Sequence, residues 1–208
     1  PSMYRNNAPT TDDKGKYCTD LFEREAVRFL NANHKEPFFL YVPFNAPHGA
    51  SSLDPVIRSG AQAPEKFKKL YPALLSQAGT QTGTRYGKPA TVLNRAARRL
   101  EFVGSITAMD AAIGEVLDFL DDNDLSKNTI VIFFSDNGGG GAADNSPLRG
   151  AKGQMFEGGI RVPTIIAGPQ IQAGSQCDVP IVQWDFLPTF HDLSGSETDL
   201  PSEVDGGS

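Results

Sequence analysis

Short, continuous apolar runs separated by stretches of helical spacing constrain this chain most. Phe38-Phe-Leu-Tyr-Val-Pro-Phe44, Thr129-Ile-Val-Ile-Phe-Phe-Ser135 and Arg161-Val-Pro-Thr-Ile-Ile-Ala167 have the length and β-branched or aromatic content of buried strands. Val179-Pro-Ile-Val182 is a fourth candidate. Between them, Phe22, Val27, Phe29 and Leu30 predict an amphipathic helix over roughly 19–33, with Asp20 and Glu23 as its N-cap signature. Leu93, Ala97, Leu100, Val103, Ile106, Ile113, Leu117 and Leu120 step by threes and fours, which predicts one long helix from about Thr91 to Asn123 with one face buried. Asp185-Phe-Leu-Pro-Thr-Phe-His-Asp-Leu193 predicts a short helix with Pro188 in its first turn. Buried strands alternating with helices imply an α/β fold, a largely parallel sheet flanked by helices, here incomplete.

Organisation follows from the same pattern. Residues 1–16 read as an irregular polar lead-in and 17–195 as one α/β segment. Within it, 50–90 is rich in Gly, Pro, Ser and Gln and reads as a variable loop insertion. The polar residues 196–208 read as a cut tail. A net charge of −6 argues against a nucleic-acid partner. No apolar run approaches the ~20 residues that span a bilayer. Cys18 and Cys177 give neither metal spacing nor a disulfide framework.

In such sheets ligands bind beyond the carboxyl ends of the strands. Two runs empty there into polar groups, Asn45-Ala-Pro-His48 and Asp136-Asn137-Gly138-Gly139. The Asp136 carboxylate and the Asn137 amide are hard oxygen ligands suited to calcium or magnesium, although two ligands are an incomplete set. Taken alone, Asp-Asn-Gly is more simply a turn. Lys152, in Gly-Ala-Lys-Gly, offers a compact positive charge for an anion, and by itself is more simply a solvated loop lysine. His48 could donate a proton to a leaving oxygen, or serve as a structural hydrogen-bonder. Glu157 and Arg161 are spaced to pair locally, and His34 and His191 read as structural. The glycines 138–141 lack the spacing of a nucleotide cradle.

Order changes the weight of these pieces. Pro37-Phe-Phe-Leu-Tyr-Val with Ala46-Pro-His48, then Met109-Asp110-Ala-Ala-Ile-Gly114, Ser135-Asp-Asn-Gly138, Leu148-Arg-Gly-Ala-Lys-Gly153, Glu157-Gly-Gly-Ile-Arg-Val-Pro163, Asp185-Phe-Leu-Pro-Thr-Phe190 and Asp205-Gly206 resemble successive landmarks of the type I sulfatases, within the alkaline phosphatase superfamily. The resemblance implies a sulfuric ester hydrolase acting on an aryl or carbohydrate sulfate. It implies Asp136 and Asn137 as calcium ligands (magnesium less so), and His48 and Lys152 as catalytic and substrate-binding groups. It also implies a formylglycine nucleophile made within C/S-x-P-x-R. No such motif occurs here; Ser146-Pro-Leu-Arg149 has its proline at the wrong offset. The chain is therefore read as an internal piece of a sulfatase, with the nucleophile upstream and no turnover of its own. The partner implied is a sulfated small molecule or glycan, and the location periplasmic, extracellular or lysosomal. A phosphate or phosphonate monoester hydrolase of the same superfamily is the near alternative. A non-catalytic, degenerate relative is the alternative if the chain is complete. Oligomeric state is not legible.

Overall fold

A computed structural model describes residues 3–49 and 60–208. The chain forms two compact units, one up to Gln170 and one from Ile171 to Ser208.

The first unit is organised around two helices. Helix α1 spans Cys18–Asn33 and buries Thr19, Leu21, Ala26 and Leu30. It starts two residues before the expected cap: Tyr17 is the N-cap, with no side-chain bond, and Asp20 sits in the first turn beside the positive helix end. The second helix, α4 (Arg95–Asp122), packs on α1. It is capped by Asn94, whose side chain accepts a 2.8 Å bond from the Ala97 amide. The helix starts later than predicted, since Thr91–Leu93 lie in a strand and Asn94 is the cap, and its buried stripe agrees only in part. Ala97, Leu100 and Leu120 are buried as predicted, Glu101, Gly104, Ser105, Ala108 and Ala112 are buried beside them, and Ile106 and Leu117 are exposed. Small side chains permit the closest approach of neighbouring backbone, and a Cβ on Gly104 would come within 2.8 Å of the Ala63 Cβ. Volume, rather than apolarity, selects the face.

The lead-in is ordered. Strands β1 (Met3–Arg5) and β2 (Ala8–Thr10) form a small antiparallel hairpin. The described part of the expected 50–90 loop, from Gly60, also carries structure. Short helices α2 (Glu65–Lys68) and α3 (Pro72–Leu75) lie against α4. A hairpin then joins β3 (Thr80–Arg85) and β4 (Lys88–Leu93). Its turn places Tyr86 and Gly87 at φ of 52° and 74°, the left-handed pair that a two-residue hairpin turn requires. Strand β3, Thr-Gln-Thr-Gly-Thr-Arg, has no apolar alternation, so periodicity could not report it.

Run 38–44 corrects the sequence reading differently. It has no ladder hydrogen bonds among the described residues, yet side chains alternate as in a strand. Phe38 and Phe44 meet α1 edge-on through Phe29 and Phe22, while Phe39 and Tyr41 are 70% and 67% exposed. Strands β5 (Val131–Phe134) and β6 (Thr164–Ala167) are where expected but pair antiparallel, Val131 opposite Ala167 and Phe134 opposite Thr164. The fold is α/β, and its sheets among the described residues are small and antiparallel rather than a parallel array. The chain reverses through 135–163 and returns alongside β5 in the opposite direction. All four residues of β6, two isoleucines among them, are exposed, Ile165 at 62%.

In the second unit Val179–Val182 joins no ladder, a further correction to the strand reading. The Val182 amide instead donates to Asp185 Oδ2 at 2.8 Å. Helix α5 (Phe186–Leu193) buries Pro188 in its first turn and stacks Phe186 on Phe190. The 196–208 segment folds back: the Gly207 amide donates to Asp185 Oδ1 at 3.1 Å, and Gly206, at φ 95°, lies against the Trp184 carbonyl.

Candidate functional site

β5 delivers Ser135-Asp136-Asn137 onto a turn that folds over the return loop. The Ser135 hydroxyl donates to the Asn137 carbonyl at 3.1 Å, and the Gly138 amide donates to the Gly159 carbonyl at 2.9 Å. The approach is so close that a Cβ on Gly138 would sit 2.0 Å from the Gly158 carbonyl oxygen. Gly158 is equally confined, 2.3 Å from the Gly150 carbonyl by the same measure. Glycine is thus required where the acid–amide turn and the Glu157-Gly-Gly turn pass backbone to backbone.

A single side chain clamps this arrangement. Asn145 Oδ1 accepts from the Gly139 amide at 3.0 Å. Its Nδ2 donates to the carbonyls of Gly139 and Gly150 at 2.8 and 3.1 Å. The turn after Asp136–Asn137 is thereby tied to the loop carrying Lys152. The Lys152 amide adds a 3.1 Å bond to the Gly139 carbonyl, and its side-chain stem runs past Gly140. Arg99 of α4 holds the outer edge, donating to the Ala142 carbonyl at 2.7 Å. Asp144 accepts from the Ser146 amide at 3.0 Å; that bond and one from the Ser146 side chain lower its pKa. Arg149 lies over the Phe156 ring at 3.9 Å, and Glu157 pairs with Arg161 at 3.6 Å as expected.

Asp136 and Lys152 are exposed and Asn137 half-buried. The structure therefore brings Asp136, Asn137 and Lys152 into one loop cluster at the end of β5. His48 stands on another turn, the one that follows run 38–44. Its amide donates to the Asn45 carbonyl at 2.9 Å, and its Nδ1 lies 2.7 Å from the Gly49 carbonyl. A carbonyl only accepts, so Nδ1 carries the proton and Nε2 is the nitrogen left to face outward. His48 lines a hollow of about 270 Å³ with Tyr17, Cys18, Gln62 and Ser105; Asp136, Asn137 and Lys152 do not line it. Tyr17 fixes one wall by donating to the Gln62 carbonyl at 2.9 Å. Glu101 fixes the segment behind it, accepting from the Ala63 amide at 2.8 Å and from Lys68 at 2.9 Å. Burial works against the charge on Lys68, but the bonds to Glu101 and Glu65 outweigh it and raise its pKa.

Sequence reasoning missed Asn145, Arg99 and Glu101. Asn145 carried no signal beyond a loop asparagine before Ser146-Pro147, and Glu101 read as an ordinary helix-surface acid. His34 and His191 are structural, bonded to the Leu30 and Thr198 carbonyls. Among the described residues no group of three or more His, Cys, Asp or Glu could hold a metal. The donors present, one carboxylate and one adjacent amide oxygen, fit part of a hard-cation shell and leave most of its oxygens to be supplied from elsewhere. Cys18 and Cys177 are free thiols. Among the described residues no helix is long and apolar enough to cross a membrane.

An α/β chain with an acid–amide turn at a strand end, clamped to a lysine loop, is the class this architecture defines. The chain belongs to the sulfatase family, whose model matches residues 2–196. It is 30% identical to a sulfatase of Formosa agariphila across its whole length, covering 36% of that protein. It is 28% identical to an arylsulfatase of Hemicentrotus pulcherrimus over 90% of its length, covering 28% of that protein. A solved structure, Ps i-CgsB in complex with k-i-k-neocarrahexaose, shares 30% identity; all of this chain superposes on 40% of that one with a TM-score of 0.77. The chain thus spans about a third of the length of such curated relatives.

Proposed function

We propose that this chain supplies part of the active site of a calcium-dependent sulfuric ester hydrolase whose substrate is a sulfated glycan. The observation that carries the reading is the Asn145 clamp, which fixes Lys152 against the turn bearing Asp136 and Asn137. Family membership supports the reaction class. The oligosaccharide bound by the 30%-identical solved relative supports the glycan over an aryl ester.

In this account Asp136 and Asn137 hold a calcium ion through hard oxygens. When bound, that ion polarises the sulfate oxygens as a Lewis acid. The nucleophile, a formylglycine, comes from outside these residues. Lys152 binds the sulfate and stabilises negative charge gathering on the ester oxygen as the S–O bond breaks. His48, its Nδ1 proton committed to the Gly49 carbonyl, gives up a proton from Nε2 to the departing alcohol. An imidazole that keeps its Nδ1 proton can do so only in the doubly protonated form. The compartment is extracytoplasmic.

The test is sulfate release from a sulfated oligosaccharide by the polypeptide that carries this chain. Lys152→Ala and His48→Ala should each lower kcat by about two orders of magnitude or more, the scale of losing a charge stabiliser or a general acid. Near-normal turnover in either variant refutes its role. Preference for a phosphate ester over the sulfate would move the protein to the phosphomonoesterase branch.

A further inference from the structure

A second hollow, of about 420 Å³, opens beside the one that holds His48, and Lys16 lines both. Its walls are Arg5 of β1, Lys16, and Arg24 and Arg28 of α1. At its base lies Asp13, 9% exposed, which accepts two bonds from Arg24 at 2.9 and 2.8 Å and one from Lys16 at 3.1 Å. Arg5 stands 3.8 Å from the same carboxylate. Glu25 bridges Arg5, Arg24 and Arg28 at 2.8, 2.7 and 2.7 Å.

Four cations thus surround two carboxylates, and Asp12 on the rim still leaves an excess of positive charge. That excess stands against a net charge of −6 for the chain. A cluster serving only to fasten the β1–β2 hairpin to α1 would gain nothing from unmatched charge. Here the buried Asp13 and the half-buried Glu25 hold the guanidinium groups in place, as preorganised forks suited to a planar or tetrahedral oxyanion. Arg24 and Lys16 keep Asp13 well below the usual carboxylate range, so the scaffold stays charged throughout the neutral range.

We infer that the Arg5–Lys16–Arg24–Arg28 hollow is an accessory anion subsite that receives a second sulfate of a multiply sulfated glycan while another sulfate ester is processed beside His48. The inference rests on the sulfated-glycan reading above. It makes this chain selective for polysulfated over monosulfated substrates.

The discriminating variant is Arg28→Glu. Arg28 is 67% exposed and pairs with Glu25, so its replacement leaves the Asp13 anchor intact. With the polypeptide that carries this chain, KM for an oligosaccharide bearing several sulfates should rise about tenfold or more, from reversing one charge at close range. The kcat/KM for 4-nitrophenyl sulfate should change less than about twofold, because that ester reaches no second subsite. Lys127→Glu, the same charge change at an 84% exposed side chain, should move neither. Equal effects on both substrates, or no effect on the oligosaccharide, would overturn the proposal. If neither ester is turned over, the functional reading fails separately, and binding decides the subsite. Sucrose octasulfate, titrated calorimetrically, should bind the wild type with strong salt dependence and Arg28→Glu about tenfold more weakly. Equal affinity for both proteins would dispose of the subsite.

Discussion

Replacing Asn145 with alanine tests whether one side chain holds the acid–amide turn and the lysine loop together. The change removes three hydrogen bonds, one accepted from the Gly139 amide and two donated to the Gly139 and Gly150 carbonyls. At about 0.5–1.5 kcal/mol net for each, the local loss is about 2–4 kcal/mol. A loss of that size raises the open population of the 138–153 segment by about two orders of magnitude. Hydrogen exchange followed by mass spectrometry reads it directly. Amides of Gly139 and Lys152 should exchange about a hundredfold faster. The Leu125 amide, bonded to the Leu120 carbonyl at the far end of α4, should be unchanged. Asn145→Asp keeps the acceptor and loses both donors, so it should fall between. Wild-type protection at Gly139 and Lys152 in a folded Asn145→Ala protein would refute the clamp.

Other outcomes follow from the same geometry. Gly138→Ala forces a methyl group to within 2.0 Å of the Gly158 carbonyl, and the required backbone shift should cost about 3 kcal/mol or more, read as a lowered Tm; an unchanged Tm would mean that the two turns do not abut. Glu101→Ala leaves the Ala63 amide without its acceptor and Lys68 with Glu65 alone, and should cost about 1–3 kcal/mol and speed proteolysis within 60–78; unaltered cleavage would contradict the anchor. Acid should release the hairpin–α1 network. Asp13 has a folded pKa below its unfolded value, so its contribution is complete above about pH 4 and is lost as pH falls through the lower folded value. Asp13→Asn should abolish that part of the acid dependence in a melting series against pH.

How much was legible beforehand depends on the physical signal each element carries. Helices α1 and α4 announced themselves through three-and-four spacing, and β5 and β6 through dense apolar runs. The β3–β4 hairpin was silent because its threonines and glutamine bury neither face. The sheet direction was also silent, since apolar content says that a strand is buried and not which way its neighbour runs. The face of α4 was read correctly at Ala97, Leu100 and Leu120 and missed between Glu101 and Ala112, where small volume rather than apolar size decided the packing. Among candidate site residues, Asp136, Asn137, Lys152 and His48 could be named because they stand in short ordered motifs. Asn145 and Glu101 could not, since their importance lies in partners 5 to 38 positions away along the chain. The cationic hollow escaped notice for the same reason, its members being drawn from β1, the turn at Asp13 and successive turns of α1.

The most direct measurement is sulfate release from a sulfated oligosaccharide by the polypeptide carrying this chain, before and after calcium is stripped by a chelator, alongside Asp136→Ala with metal content read by mass spectrometry. The account predicts release that is lost on chelation, regained with added calcium, and absent in Asp136→Ala together with the bound metal. Undiminished release from a metal-free Asp136→Ala protein, or none from the calcium-loaded wild type, would contradict it.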